Sequence, residues 1–264
     1  MRIESERGYV LHQRPYRETS LLVDLFTCNY GRVRCIAKGF RKPNKKGISR
    51  ALFPYTEYQF NWQGRGELKT LSRADVIQAP VFLPHESSFV GLYVNEILYR
   101  LLHEHDPHQT LYGDYSELMN NLTHNGLDEK VLRGFEMTLL DELGYGLVLD
   151  IDSEKGTPVL AERFYNYIPE QGLREVAEGV SVKDAGSKGA GLKGAGLKGA
   201  DIIAICQGDY SKLSTIRTAK RLTRSIIDFY LDGRQLHSRE LYRQYKSSKS
   251  SQEQERSVQS GGEC

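Results

Sequence analysis

Six short runs of β-branched and aromatic residues fill the first 80 positions: GYVLHQR, TSLLVDLFT, GRVRCIAKG, LFPYTEYQFNW, GELKTLS and ADVIQA. Their partial alternation predicts strands with one face inward and the other outward. Gly31, Gly39 and the Gly64-Arg65-Gly66 step supply turns. No helical period intervenes, and closure into a small barrel removes the exposed edges that so small a sheet would present. Pro80 and Pro84 end this pattern, and from His85 the period becomes helical in SSFVGLYVNEILYRLL, QTLYGDYSELMNNL and LDEKVLRGFEMTLLDELGYG. In the last of these, Leu132, Phe135, Leu139 and Leu143 form an apolar stripe that Asp128 can cap and Gly144 and Gly146 can end.

A chain of 264 residues can bury more than one core. We read it as a multidomain protein with both α and β structure: a β-barrel over 1–80, then a mostly α-helical domain over 81–246. The helical domain carries an irregular, β-containing insert at 150–205. Within it GxKGA occurs three times, from 186 to 200, and reads as a flexible duplication. Residues 247–264 are polar and read as a disordered tail.

Charge is segregated beneath a net value of +2. Residues 1–80 carry a surplus of +8, residues 81–180 carry −12, and residues 181–264 carry +6. Two features concentrate the basic charge. Arg32 and Arg34 alternate on one strand face that Lys38 shares if the strand continues, and Arg41, Lys42, Lys45 and Lys46 follow in a Gly- and Pro-containing loop. Phosphate binding suits that group, and so does a merely solvated basic surface. Seven nearby rings, among them Phe60 and Trp62, could stack on bases, although a barrel this small needs most of them as core. The second feature is Arg217, Lys220, Arg221 and Arg224, spaced i, i+3, i+4, i+7 on one helical face. Four like charges there favour an anionic partner.

Catalytic signatures are missing. HExxH, GxSxG and GxxxxGK[ST] do not occur, and the glycine spacing of the GxKGA repeat is neither a Rossmann fingerprint nor a phosphate-loop pattern, so no catalytic residue is assigned and enzymatic activity is not expected. His103, His105 and His108 fall in LHEHDPH, where a helix should end before Pro107, and read as a solvated terminus. Cys28, Cys35, Cys206 and Cys264 form no CxxC pair, which argues for reduced thiols and against a metal or other cofactor. No apolar run is long enough for a membrane span and the N-terminus lacks a signal-peptide stretch, so a cytoplasmic protein is expected.

Three stretches carry a family likeness: GYVLHQRPYRETSLLVDLFTCNYGRVRCIAKGFRKP, LRGFEMTLLDELGYG and TAKRLTRSIIDFYLDGRQLHSRELYRQY. With them the chain resembles the bacterial RecO family of recombination mediators, nearly end to end. The resemblance implies an oligonucleotide/oligosaccharide-binding (OB) barrel followed by a helical domain. It implies binding of single- and double-stranded DNA, ATP-independent annealing, and work with RecR to load the recombinase on DNA coated by single-stranded DNA-binding protein (SSB). It further implies docking of the acidic, Phe-ending SSB tail on the helical domain. Lys220, Arg221 and Arg224 match the family's basic segment and, with Arg217 and Arg133, are the residues expected to hold the tail's acids, since arginine offers a bidentate fork. Leu132, Leu222 and Ile226 are expected to form the Phe pocket. The four-cysteine zinc module of some members has no counterpart here. The alternative is a protein-interaction scaffold that binds no DNA.

Overall fold

The computed structural model describes residues 2–42, 51–145, 147–179 and 195–260, with side chains through residue 250. The chain forms two compact units: Met1–Phe26, Arg32–Arg100 and Gln235–Cys264 in one, Thr27–Gly31 and Leu101–Arg234 in the other.

In the first unit β1 (Arg2–Tyr16), β2 (Ser20–Thr27), β3 (Gly31–Ala37), β4 (Tyr58–Gln63) and β5 (Lys69–Val76) close into a barrel in the order β1-β2-β3-β5-β4. Strand β4 runs antiparallel to both β1 and β5, and closure comes from a parallel pairing of β3 with β5, Cys35 opposite Lys69 through Ala37 opposite Leu71. This is the OB-type barrel that the strand count and family likeness anticipate. The runs GELKTLS and ADVIQA belong to one strand, because no Gly or Pro separates Ser72 from Ala74 to break it.

Period-two burial organises the interior. Gly31, Val33, Cys35 and Ala37 of β3 point inward while Arg32, Arg34 and Ile36 are half-exposed, and Tyr58, Phe60 and Trp62 of β4 are buried. Phe40 and Tyr55 are buried too, so five of the seven rings near the basic loop are core. Cys35 lies among them, and burial pushes its thiol up to about 12.

Helix α1 (His85–Leu101) belongs to this unit. Asn95 donates from Nδ2 to the carbonyls of Val10 and Leu11 of β1, at 3.2 and 3.3 Å. Gly91 allows the close approach: a Cβ there would sit 2.4 Å from Leu83 Cδ1 and 2.8 Å from Tyr55 Cε1. The last helix of the chain, His237–Ser260, starts on the Glu96 carboxylate, which accepts from His237 N, Ser238 N and Ser238 Oγ at 2.7–2.9 Å and pairs with Arg100. A carboxylate at a helix N-terminus satisfies donors that have no intrahelical partner. Phe89 packs against Tyr242 and Tyr245 of this helix. The helix continues past Lys246, where composition alone suggests an unstructured tail; Lys, Gln, Glu and Arg there are good helix formers.

The second unit holds α2 (Gln109–His124), α3 (Glu129–Glu142), β6 (Phe164–Ile168), β7 (Gly172–Val176), β8 (Leu197–Lys198), α4 (Gly199–Cys206) and α5 (Leu213–Tyr230); the chain's last helix is therefore α6. Asp128 caps α3 by accepting from Lys130 N at 2.8 Å. Leu132, Phe135 and Leu139 are buried, as the stripe predicts. Asp201 of α4 accepts hydroxyl bonds from Ser214, Thr215 and Thr218 at 2.8–3.2 Å, which fastens α4 to α5.

The irregular β-containing insert is a three-stranded antiparallel sheet ordered β7-β6-β8. Of the GxKGA copies, those at 186 and 191 lie outside the described residues apart from Ala195. The copy at 196 is ordered, contrary to its reading as flexible: Leu197–Lys198 form β8 and Gly199 begins α4. Its glycines are needed for close packing. A Cβ at Gly199 would lie 1.9 Å from the Leu160 carbonyl oxygen, and one at Gly196 would lie 2.9 Å from Val176 Cγ2.

Candidate nucleic-acid interface and cationic helix

Strand alternation places Arg32 and Arg34 on the outward side of β3, where both reach one buried acid. Arg32 Nη1 and Arg34 Nε each donate to Asp24 Oδ1 of β2 at 3.1 Å. Asp24 is 3% exposed at its side chain, Arg32 13% and Arg34 36%. The Arg32 guanidinium also lies over the Tyr99 ring, 5.6 Å from its centroid. These cations are therefore held in place.

Beyond them the strand stops at Ala37. Lys38 falls in the following turn, exposed, as are Arg41 and Lys42. Lys45 and Lys46 lie outside the described residues. Backbone ties fix the turn: Arg41 N donates to Thr19 O at 2.9 Å, and Arg41 Nη1 donates to Arg17 O at 3.1 Å. The turn between β1 and β2 thus sits against the root of the basic loop. Between the two turns lies an open pocket of about 520 Å³, with Tyr16, Arg17, Ile36 and Lys38 in its lining. Sequence reading passed over Tyr16 and Arg17; the available signal was an aromatic followed by a cation at the strand-to-turn step PYRE.

Helix α5 keeps its four cations on the solvent side. Thr215, Thr218, Ala219, Leu222, Thr223, Ile226 and Ile227 are buried, whereas Arg217, Lys220 and Arg224 are exposed and Arg221 is half-exposed. Three of the four already have partners. Lys220 Nζ meets Glu129 Oε1 at 2.8 Å, Arg221 donates to the Ala195 carbonyl, and Arg224 lies 3.8 Å from Asp228.

The remaining tail-site residues are placed differently from the sequence expectation. Arg133 is 5% exposed, its Nη1 donating to Glu136 Oε2 at 2.6 Å, with Glu129 at 3.4 Å on the other side. Thr223 of α5 joins the same Glu136 carboxylate. Arg133 therefore links α3 to α5 from inside. Leu132, Leu222 and Ile226 are 4%, 0% and 0% exposed, so they fill the core and do not line an open pocket. The reason is helical phase: on α5, Leu222 and Ile226 lie one or two positions from Arg221 and Arg224, which turns them away from the cationic row and into the buried face.

Chemistry elsewhere is structural. His108 is buried against Glu142 at 3.0 Å, while His103 and His105 are exposed. Among the described residues no group of His, Cys, Asp and Glu is placed to hold a metal ion, and no helix is long and apolar enough to cross a membrane.

The family model for the N-terminal part of recombination protein O matches residues 1–80, and that for its C-terminal part matches residues 86–240. The chain is 39% identical to the DNA repair protein RecO of Methylococcus capsulatus over 242 residues, covering 92% of this chain and 94% of the relative. Against the RecO protein of Pseudomonas aeruginosa strain PAO1 it is 38% identical over 245 residues, covering 92% and 97%. Against that of Serratia proteamaculans it is 37% identical over 241 residues, covering 91% and 93%. The chain belongs to the RecO family of bacterial DNA repair proteins, which are non-catalytic mediators of recombination.

Proposed function

We propose that this mediator binds single- and double-stranded DNA on the barrel through Lys38, Arg41 and Lys42, continued by Lys45 and Lys46, with Arg32 and Arg34 as a fixed positive base beneath them. The observation that carries this reading is the exposed cationic rim where the β3 turn opens into the basic loop. Residues 1–80 are then the nucleic-acid-binding domain. Neutralising the phosphates of two strands raises their local concentration and lets complementary bases meet, so annealing requires no ATP. Each phosphate contact releases counterions, and affinity should fall steeply with salt.

The outward face of α5 takes the acidic, Phe-ending tail of SSB. Arg217, Lys220, Arg221 and Arg224 hold its carboxylates, and the exposed ion pairs already there exchange readily, because such pairs are each worth about 0–1 kcal/mol. Arg133 acts as a positioning residue for Glu129 and α5. Together with RecR, the protein then helps load the recombinase on SSB-coated DNA. Titrating a labelled 30-mer between about 50 and 300 mM salt tests the DNA part: a linear fall of log affinity with log salt supports it. Salt-independent binding, or none at low salt, leaves the scaffold reading in its place.

A further inference from the structure

The pocket between the two turns holds more than phosphate-binding chemistry. Tyr16 and Ile36, both half-buried, give it apolar surface, and the Arg17 guanidinium lies over the Tyr16 ring, 5.2 Å from its centroid. Arg17 and Lys38 are exposed, and neither makes an ion pair among the described residues. One acid, Glu18, lines the pocket as well, so the lining carries a single net positive charge, and Arg41 adds another beside it. Its volume of about 520 Å³ lies within the roughly 300–1,000 Å³ typical of small-ligand sites.

The geometry is also fixed in advance. Arg17 sits at φ +52, a left-handed conformation that a side-chain-bearing residue seldom adopts, and its carbonyl is held by Arg41. Strain of this kind persists where surrounding contacts over-determine it, and it concentrates at functional positions. An aromatic ring, a stacked guanidinium and a neighbouring ammonium are the parts that take a nucleobase with its flanking phosphate. A purely phosphate-binding site has no use for the ring.

We infer that the Tyr16–Arg17 pocket is a base-binding subsite for single-stranded DNA: an unpaired base stacks on Tyr16 and Arg17 while Lys38 holds the adjacent phosphate. This rests on the reading that the barrel binds DNA and adds to it a means of telling single from double strand. The cationic rim meets phosphates in either form, whereas a duplex keeps its bases stacked out of reach of the pocket.

The test compares Tyr16→Ala and Tyr16→Phe with the wild-type chain on three probes: a dT 15-mer, the same oligonucleotide with abasic sites replacing its bases, and a 15-base-pair duplex. Tyr16→Ala should lower affinity for the dT 15-mer about tenfold, a typical consequence of losing one stacked base. It should leave the abasic oligonucleotide and the duplex within twofold, and Tyr16→Phe should bind like wild type. Photocrosslinking of the wild-type chain with an oligonucleotide carrying 5-iodouracil is independent of variant folding and should map to the peptide containing Tyr16. Equal losses on all three probes, no loss on the dT 15-mer, or crosslinks confined to other peptides would overturn the subsite while leaving barrel binding intact. A wild-type chain that binds none of the probes would overturn both.

Discussion

Strand β3 and helix α5 each present a row of cations, yet the two rows are built differently. On β3 the acid is inside: Asp24 is buried and holds Arg32 and Arg34 by hydrogen bonds of 3.1 Å. On α5 the acids are outside. Glu129 and Asp228 are 34% and 48% exposed, and the Arg224–Asp228 pair is stretched to 3.8 Å. A carboxylate shielded from water and bonded twice is not displaced by an incoming anion, because removing one partner leaves a buried charge unmatched. A solvent-exposed acid on a loose pair is readily replaced. Formal charge therefore overstates what β3 can offer a ligand and describes α5 more fairly.

The sharpest way to break this comparison is to remove the two acids in turn. Asp24→Ala should destabilise the protein by about 3 kcal/mol in urea denaturation, since Arg32 loses its buried partner. An effect below about 1 kcal/mol would mean that the β3 pair is as labile as those on α5. Charge reversal of an α5 cation comes next: Arg224→Glu should weaken binding of an acidic, Phe-ending SSB-tail peptide about tenfold, or about 1.4 kcal/mol.

A smaller effect, about 1 kcal/mol at neutral pH, is expected for Glu96→Gln, which loses charge-assisted bonds to the start of α6. Burial pushes the Glu96 carboxyl up, but the bonds from Ser238 and His237 and the nearby Arg100 bring it below its ordinary 4.5 overall. The sign follows. A carboxylate with a lowered folded value contributes stability that is present above 4.5 and lost as pH falls through that lower value. The wild-type and Glu96→Gln unfolding curves should thus converge as pH falls below 4.5; a constant gap would refute the capping role. Least of all, Asp228→Ala should change stability by less than about 0.5 kcal/mol while modestly strengthening tail binding.

Much of the architecture was legible because it rests on local periodicity. The period-two runs gave the barrel, the Pro80–Pro84 step marked the passage to helices, and the spacing from Arg217 to Arg224 put four cations on one face of α5. The ligand-facing details were not legible in the same way. Pairing of Asp24 with Arg32 and Arg34 depends on how β2 and β3 are registered, which residue spacing does not specify. Arg133 is expected from the family likeness to hold the tail's acids, but the packing of α3 on α5 turns it inward onto Glu136. Leu132, Leu222 and Ile226 have the right chemistry for a Phe pocket and are core for the same reason. The third GxKGA copy is ordered because Leu160 and Val176, distant in sequence, come up against its glycines.

The central claim is that the two cationic surfaces serve different ligands. Anisotropy titrations of single-stranded DNA and of the tail peptide, each against wild type, Arg224→Glu and a Lys38→Glu/Arg41→Glu double variant, test it directly. The account predicts a crossed result: Arg224→Glu loses about tenfold on the peptide and less than twofold on DNA, and the double variant loses at least tenfold on DNA and less than twofold on the peptide. Parallel losses on both ligands in either variant would contradict it and make the basic surface a single, general anion site.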